Sequence, residues 1–368
     1  MKWTLNLGKV SGIKISVHWT FILLLFWFVM ISWKAGHDVT QSFWSLIFIL
    51  SIFVCVVLHE LGHALTAKRY GCKTQDITLL PIGGIARMEK LPEQPAQELA
   101  VALAGPFVNV LIALLLLPLI RQHLNSGGLD VVTPTINNTN FLLNLFLVNV
   151  SLAVFNLLPA FPMDGGRVLR ALLSFWIDRV KATRIAGSIG QLMAIGFILL
   201  GLFYNPFLVF IGLFIILGAQ TEMAYTESKS LLSGYTVHDA MMTEFSLLKE
   251  DDPLSKAVQF ILNGQNQDFL VMDDQQRITG SLNRNQIIKV LTTRNDTIPV
   301  AQVMNKNIHP MEPDASLDDV FQILQKNESS IVPIMNRQKL LGAINLENVM
   351  EFIMIKKAIA AKKIQTQV

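Results

Sequence analysis

The chain has 368 residues, of which 52% are hydrophobic and only 15% charged, with a mean hydropathy of +0.46. That apolarity excludes an ordinary soluble enzyme, and a formal charge of +3 without a basic tract argues against a nucleic-acid partner. Two cysteines, Cys55 and Cys72, give no disulfide framework and fit the reducing side of a membrane. The long uncharged runs all precede Thr226, whereas charge is interspersed from Glu227 to Val368. A membrane domain over 1–226 and a cytosolic α/β domain over 227–368 are therefore expected.

A hydrocarbon core about 30 Å thick takes roughly 20 helical residues to cross. Six uncharged runs approach that length: 15–33, 43–67, 99–120, 141–160, 185–203 and 207–220, the last two divided at Asn205-Pro206 by a tight turn. Lys2, Lys9 and Lys14 precede the first run as in a secretory leader. Ile31-Ser32-Trp33-Lys34 offers no small-residue cleavage site, so the run is expected to remain as a span. Lysine and arginine accumulate in cytoplasmic loops. With the N-terminus inside, every Lys and Arg up to Thr226 except Lys34 and Arg121 is cytosolic. Six spans then return the chain to the cytosol. The expectation is a polytopic α-helical protein of the cell membrane, six transmembrane helices, both termini cytosolic.

The second run holds His59-Glu60-Leu-Gly-His63. Residues four apart share a helix face, so two imidazoles can meet one zinc ion with Glu60 beside them. A carboxylate so placed can take a proton from a zinc-activated water. Two histidines and a glutamate are costly in lipid unless they serve a function or line a wet cavity. At about 1.5 Å per residue, His59 lies roughly 24 Å beyond Phe43, within the membrane toward its cytosolic face. Next, Asp76-Ile-Thr-Leu-Leu-Pro-Ile-Gly-Gly84-Ile-Ala-Arg-Met88 places β-branched residues around a Gly-Gly turn, which predicts a short hairpin whose edge can pair with an extended peptide. Gly105-Pro106-Phe-Val-Asn109 in the third run predicts close packing and a kink.

A catalytic zinc needs a third protein ligand and an open position. The fourth run ends in Asn156-Leu-Leu-Pro159-Ala-Phe-Pro162-Met-Asp164-Gly165-Gly166-Arg167. Helix breakers at this depth are tolerated only where the backbone faces protein or a wet cavity. Asp164 is the candidate third ligand; the alternative is a cap or turn residue for the helix that follows. Cys55 shares the histidine face, but a small thiol in a packed helix is usually core.

The soluble part contains a repeat of about 63 residues, over 234–292 and 297–355. Val237-His-Asp-Ala-Met241 matches Val300-Ala-Gln-Val-Met304, Asp251-Asp-Pro-Leu254 matches Asp314-Ala-Ser-Leu317, and Arg277-Ile-Thr-Gly280 matches Lys339-Leu-Leu-Gly342. Each unit reads as helix, strand, strand, helix.

These motifs, in this order, resemble the site-2 protease family of intramembrane zinc metalloproteases (peptidase M50 type), in the branch that carries a C-terminal CBS pair. The resemblance supports the membrane-associated β hairpin and implies one Zn2+ per chain, bound by His59, His63 and Asp164, with Glu60 as general base. It implies that Asn156 stabilises the oxyanion or orients substrate by donating hydrogen bonds. The implied reaction is hydrolysis of membrane-spanning or membrane-docked proteins, with water entering from the cytosol. CBS pairs often sense adenine nucleotides, but Gln286 and Asn348 stand where nucleotide-binding members usually place a ribose-holding aspartate. Homodimerisation through the CBS pair, or substrate gating, therefore competes with nucleotide binding. A CBS-regulated ion transporter, the main rival, would not require Glu60 beside His59 or the Asn156-to-Asp164 motif.

Overall fold

The computed structural model describes residues 4–34, 36, 38–72, 74–81, 83–88, 92–125, 136–264, 267–292, 296–325, 329–337 and 339–365. It divides into two compact units, Met1–Thr226 and Glu227–Val368.

The first unit opens with β1 (Thr4–Val10) and β2 (Ile13–His18), joined through Ser11 and Gly12 at φ 51° and 87°. Two consecutive residues at positive φ make the hairpin turn whose twist matches that of paired strands. The apolar run expected to span from Ile15 therefore starts as a strand. Ile13, Ile15 and Val17 alternate into the core, and helix α1 begins only at Trp19 (Trp19–Lys34). Helix α2 (Val39–Arg69) is capped by the Asp38 carboxylate, which accepts from the Val39 amide at 2.7 Å. Strands β3 (Thr74–Leu80) and β4 (Gly83–Met88) pair antiparallel, and β3 lies parallel to β2, giving a four-stranded sheet in the order β1-β2-β3-β4. The sheet rests on α2, with Ile13, Ile15 and Ile77 against Leu61 and Ala64.

Helices α3 (Pro95–Asn125), α4 (Phe141–Asn156), α5 (Asp164–Leu173), α6 (Arg179–Phe203) and α7 (Phe207–Leu232) follow. Among the described residues four helices, α2, α3, α6 and α7, are long and apolar enough to cross a membrane. Helices α1 and α4 are apolar but only 16 residues long, about 24 Å at 1.5 Å per residue. Outward-facing Leu115, Leu192 and Phe210 are exposed, as lipid permits and water does not. The fourth run stops being helical at Asn156, short of its expected end, and the sixth continues past Gln220 to Leu232.

Glycines let these helices approach. A Cβ on Gly62 of α2 would sit 2.8 Å from the Ala104 carbonyl of α3. The turn over 157–163 is pressed against α6 and α7 where Gly190 meets Ala160 and Gly218 meets Pro162. Gly165 and Gly166 face the backbone of the same turn, Gly165 against the Leu157 and Leu158 carbonyls, so α5 can start only with glycine at its second and third positions. Arg170, counted above among cytosolic loop charges, is instead fully buried on α5, where it bonds Glu98 of α3 and Glu222 of α7.

The second unit comprises β5 (Leu247–Lys249), α8 (Leu254–Leu262), β6 (Asp268–Met272), β7 (Ile278–Asn283), α9 (Arg284–Leu291), α10 (Leu317–Gln325), β8 (Ile331–Asn336), β9 (Lys339–Asn345) and α11 (Leu346–Gln365). Each repeat places helix, strand, strand, helix around its own core, Phe269, Leu282 and Ile287 in the first and Val332, Ile344 and Val349 in the second. The lead-in of each repeat crosses to the other: Met242 bridges Ala343, and Asn305 bridges Ser281. The repeated glycines Gly280 and Gly342 lie at those crossings, where a Cβ would meet the Asn305 and Met242 carbonyls. Gln286 caps α9 in a reciprocal pair with Asn283, and Asn348 does the same with Asn345 at the start of α11. Both residues are thus engaged with backbone.

Candidate metal centre

His59 and His63 occupy successive turns of α2, and both are buried. Their Nε2 atoms lie 3.1 Å apart, and Asp164 Oδ2 lies 3.2 Å from the first and 3.0 Å from the second. Asp164 is the first helical residue of α5, while Met163 holds the cap position with no side-chain cap bond. The carboxylate is turned to the histidines.

The far side of each ring explains its orientation. His63 Nδ1 lies 2.7 Å from the Val101 carbonyl, which can only accept, so Nδ1 carries a proton and the neutral ring presents its lone pair at Nε2. His59 Nδ1 lies 2.5 Å from Asn109 Oδ1, with the same consequence. With both rings neutral, two nitrogen lone pairs and a carboxylate oxygen converge here, an arrangement that a cation relieves. Ligands of a tetrahedral zinc at about 2.0–2.1 Å stand roughly 3.3 Å apart, close to the separations here. The space is kept clear by Gly105 of α3, whose added Cβ would sit 2.7 Å from His59 Nε2 and would strike His63 Nε2 outright. The three residues therefore fit a divalent metal in burial, donor set and room.

Glu60 lies beside the histidines, facing Gly84 of β4, where a Cβ would come within 2.8 Å of Glu60 Cγ. Asn156 is half-buried at the end of α4, and its side chain makes no hydrogen bond among the described residues. Cys55 does not join the cluster; its sulfur lies 3.4 Å from Asn149 Nδ2. Sequence reasoning gave no role to Asn109 or Asn149. The signal was present, because an asparagine in an apolar helix carries the same burial cost as a histidine.

The model of Peptidase family M50 matches residues 47–202, which contain all five of the candidate site residues, and the CBS domain model matches residues 300–355. A zinc metalloprotease of Methanocaldococcus jannaschii is 39% identical over 263 residues, 71% of this chain and 73% of its own. Rip3 of Mycobacterium tuberculosis, also named as a zinc metalloprotease, is 26% identical over 329 residues, 82% of this chain and 80% of its own. The solved site-2 protease from Methanocaldococcus jannaschii shares 39% identity over 60% of this chain and 95% of that one, with a TM-score of 0.44. With the helical membrane unit and the buried cluster already described, this kinship makes the chain a member of peptidase family M50, a zinc-dependent membrane metalloendopeptidase of the site-2 protease type that carries a CBS domain.

Proposed function

We propose that His59, His63 and Asp164 hold one zinc ion, that Glu60 is the general base, and that the substrates are membrane-spanning or membrane-docked proteins. The convergence of three buried donor atoms, with the other ring nitrogens already engaged, is the observation that carries this reading. Bound there, zinc supplies Lewis acidity that lowers the pKa of a water and polarises a carbonyl. Glu60 takes the proton as the water oxygen attacks the peptide carbonyl carbon, and returns it to the amide nitrogen as the C–N bond breaks. The Asn156 amide, with no hydrogen-bond partner among the described residues, donates to the carbonyl oxygen as negative charge develops on it. Strand β4 is a sheet edge beside Glu60, which supports binding of an unwound substrate segment by strand addition.

We further propose six spans, counting α1 and α4, in the cell membrane with both termini cytosolic; the distribution of Lys and Arg supports this. The CBS pair regulates through self-association or substrate gating. A cleft of about 450 Å³ in that unit is lined by Arg284, Asn345, Asn348, Glu347 and Glu351. In full-length protein, Glu60→Gln is expected to keep stoichiometric zinc and lose cleavage, while Asp164→Asn loses zinc at unchanged expression. Full activity of Glu60→Gln, or of Asp164→Asn, would overturn the assignment.

A further inference from the structure

We infer that Asn149, which touches neither histidine, is a positioning residue that sets the proton of His59 through Asn109, and so sets how well the site takes its metal. The inference rests on the zinc reading above. The two histidines are held unequally. His63 faces a backbone carbonyl, whose polarity cannot change, whereas His59 faces a primary amide, and a half-turn of that amide would exchange oxygen for NH2. With the NH2 toward His59, Nδ1 would have to accept, the proton would move to Nε2, and the lone pair aimed at the metal would be gone.

The amide is held by a relay across three helices. Asn109 of α3 donates from Nδ2 to Asn149 Oδ1 at 2.9 Å, which leaves Asn109 Oδ1 for His59. Asn149 of α4 donates from Nδ2 to the Leu145 carbonyl at 2.8 Å, with the Cys55 sulfur 3.4 Å away. Leu145 can only accept, so it fixes Asn149, which fixes Asn109, which fixes His59. Both asparagines are fully buried, leaving no water to substitute for either bond. A backbone carbonyl thus determines the tautomer of each histidine, directly for His63 and through two side chains for His59.

The test uses full-length protein with ¹⁵N-labelled histidine, stripped of metal and returned to lipid, with ¹⁵N shifts reading each tautomer and chelator competition reading zinc affinity. In Asn149→Leu, His59 is expected to lose its single Nδ1–H form while His63 keeps its own, and zinc affinity to fall about 10- to 100-fold, as for lost partners of metal-bound histidines. Asn109→Asp offers a carboxylate with no donor face, so Asn109→Asp/Asn149→Leu is expected to recover both readouts. Should Asn149→Leu fail to fold, Asn149→Ser, too short to reach Asn109, serves in its place. An unchanged His59 tautomer in the folded variant, or a double variant no better than the single, overturns the inference. Failure of the wild-type chain to bind zinc would instead refute the metal reading, and the tautomer comparison would still decide the relay.

Discussion

Arg170→Met tests the ion cluster that ties the last turn of α5 to its neighbours. Arg170 is fully buried and gives Glu98 Oε1 two bonds, from Nε at 2.8 Å and Nη2 at 2.5 Å, and Glu222 one from Nη1. Its guanidinium also lies 5.1 Å from the centre of the Phe161 ring. Methionine keeps much of the stem's volume, so the cavity cost is small and the main loss is electrostatic. Glu98, with a side chain only 3% exposed, would keep one partner, Arg179 at 2.8 Å. Glu222, 25% exposed, can return to water and adds little. Removing one partner of a buried pair costs about 3–5 kcal/mol. At about 2–4 °C per kcal/mol for a unit of this size, the thermal midpoint should fall by roughly 6–20 °C. Adding Glu98→Gln removes the stranded charge and should recover more than half of the loss. Melting curves of purified protein decide it: a fall below about 2 °C, or a double variant no milder than the single, refutes the reasoning.

Gly105→Ala puts a methyl group where the metal's ligands converge, so zinc per purified chain should fall to under about a tenth of wild type, and stoichiometric zinc would show that the space is not needed. In the second unit, burial raises the Asp268 carboxyl pKa, opposed by hydrogen bonds from Ser330 and Asn345 and reinforced by Glu347. A carboxyl with a raised folded-state pKa costs stability when ionised, and the cost is relieved as pH falls through that pKa toward the ordinary value of about 3.9. Asp268→Asn should therefore melt above wild type at pH 7, with a gap that narrows toward pH 4; a gap constant across that window would contradict the assignment.

What the sequence revealed was local in nature. Four-residue spacing on one helix brings His59 and His63 together whatever the rest of the chain does, and the glycine-proline break places Asp164 where a membrane helix must stop. The N-terminal hairpin was missed because Ile15 to His18 runs without a charge into the apolar helix. Yet Ile13, Ile15 and Val17 alternate after Ser11-Gly12, and that period of two was the better signal. The charge rule for orientation counts Arg170 like any other arginine, since residue identity does not register burial. For Asn109 and Asn149 the burial cost of an amide in an apolar helix marked them as engaged, but their partners depend on the relative register of three helices distant in sequence, which no local pattern encodes.

Helices in lipid gain little from burying apolar surface against one another, so close backbone approach and polar contacts must hold them. Among the described residues such polar contacts come from the site and from the ion cluster around Arg170. His59, Asn109 and Asn149 link α2, α3 and α4, the Asp164 carboxylate links α5 to α2, and Arg170 with Glu98 and Glu222 links α5 to α3 and α7. Glycines lie where these links need the backbone close, Gly62 and Gly105 between α2 and α3, and Gly165 and Gly166 at the head of α5. With the ligand set proposed above, metal binding would contribute to helix association as well as to chemistry, because it would reinforce the contact that the Asp164 carboxylate makes between α5 and α2. Stripping zinc should accordingly loosen α5 and the turn before it ahead of the α6–α7 pair. That pair is held by the apolar contacts of Gly201 with Val209 and of Gly212 with Ile198, which the metal does not touch.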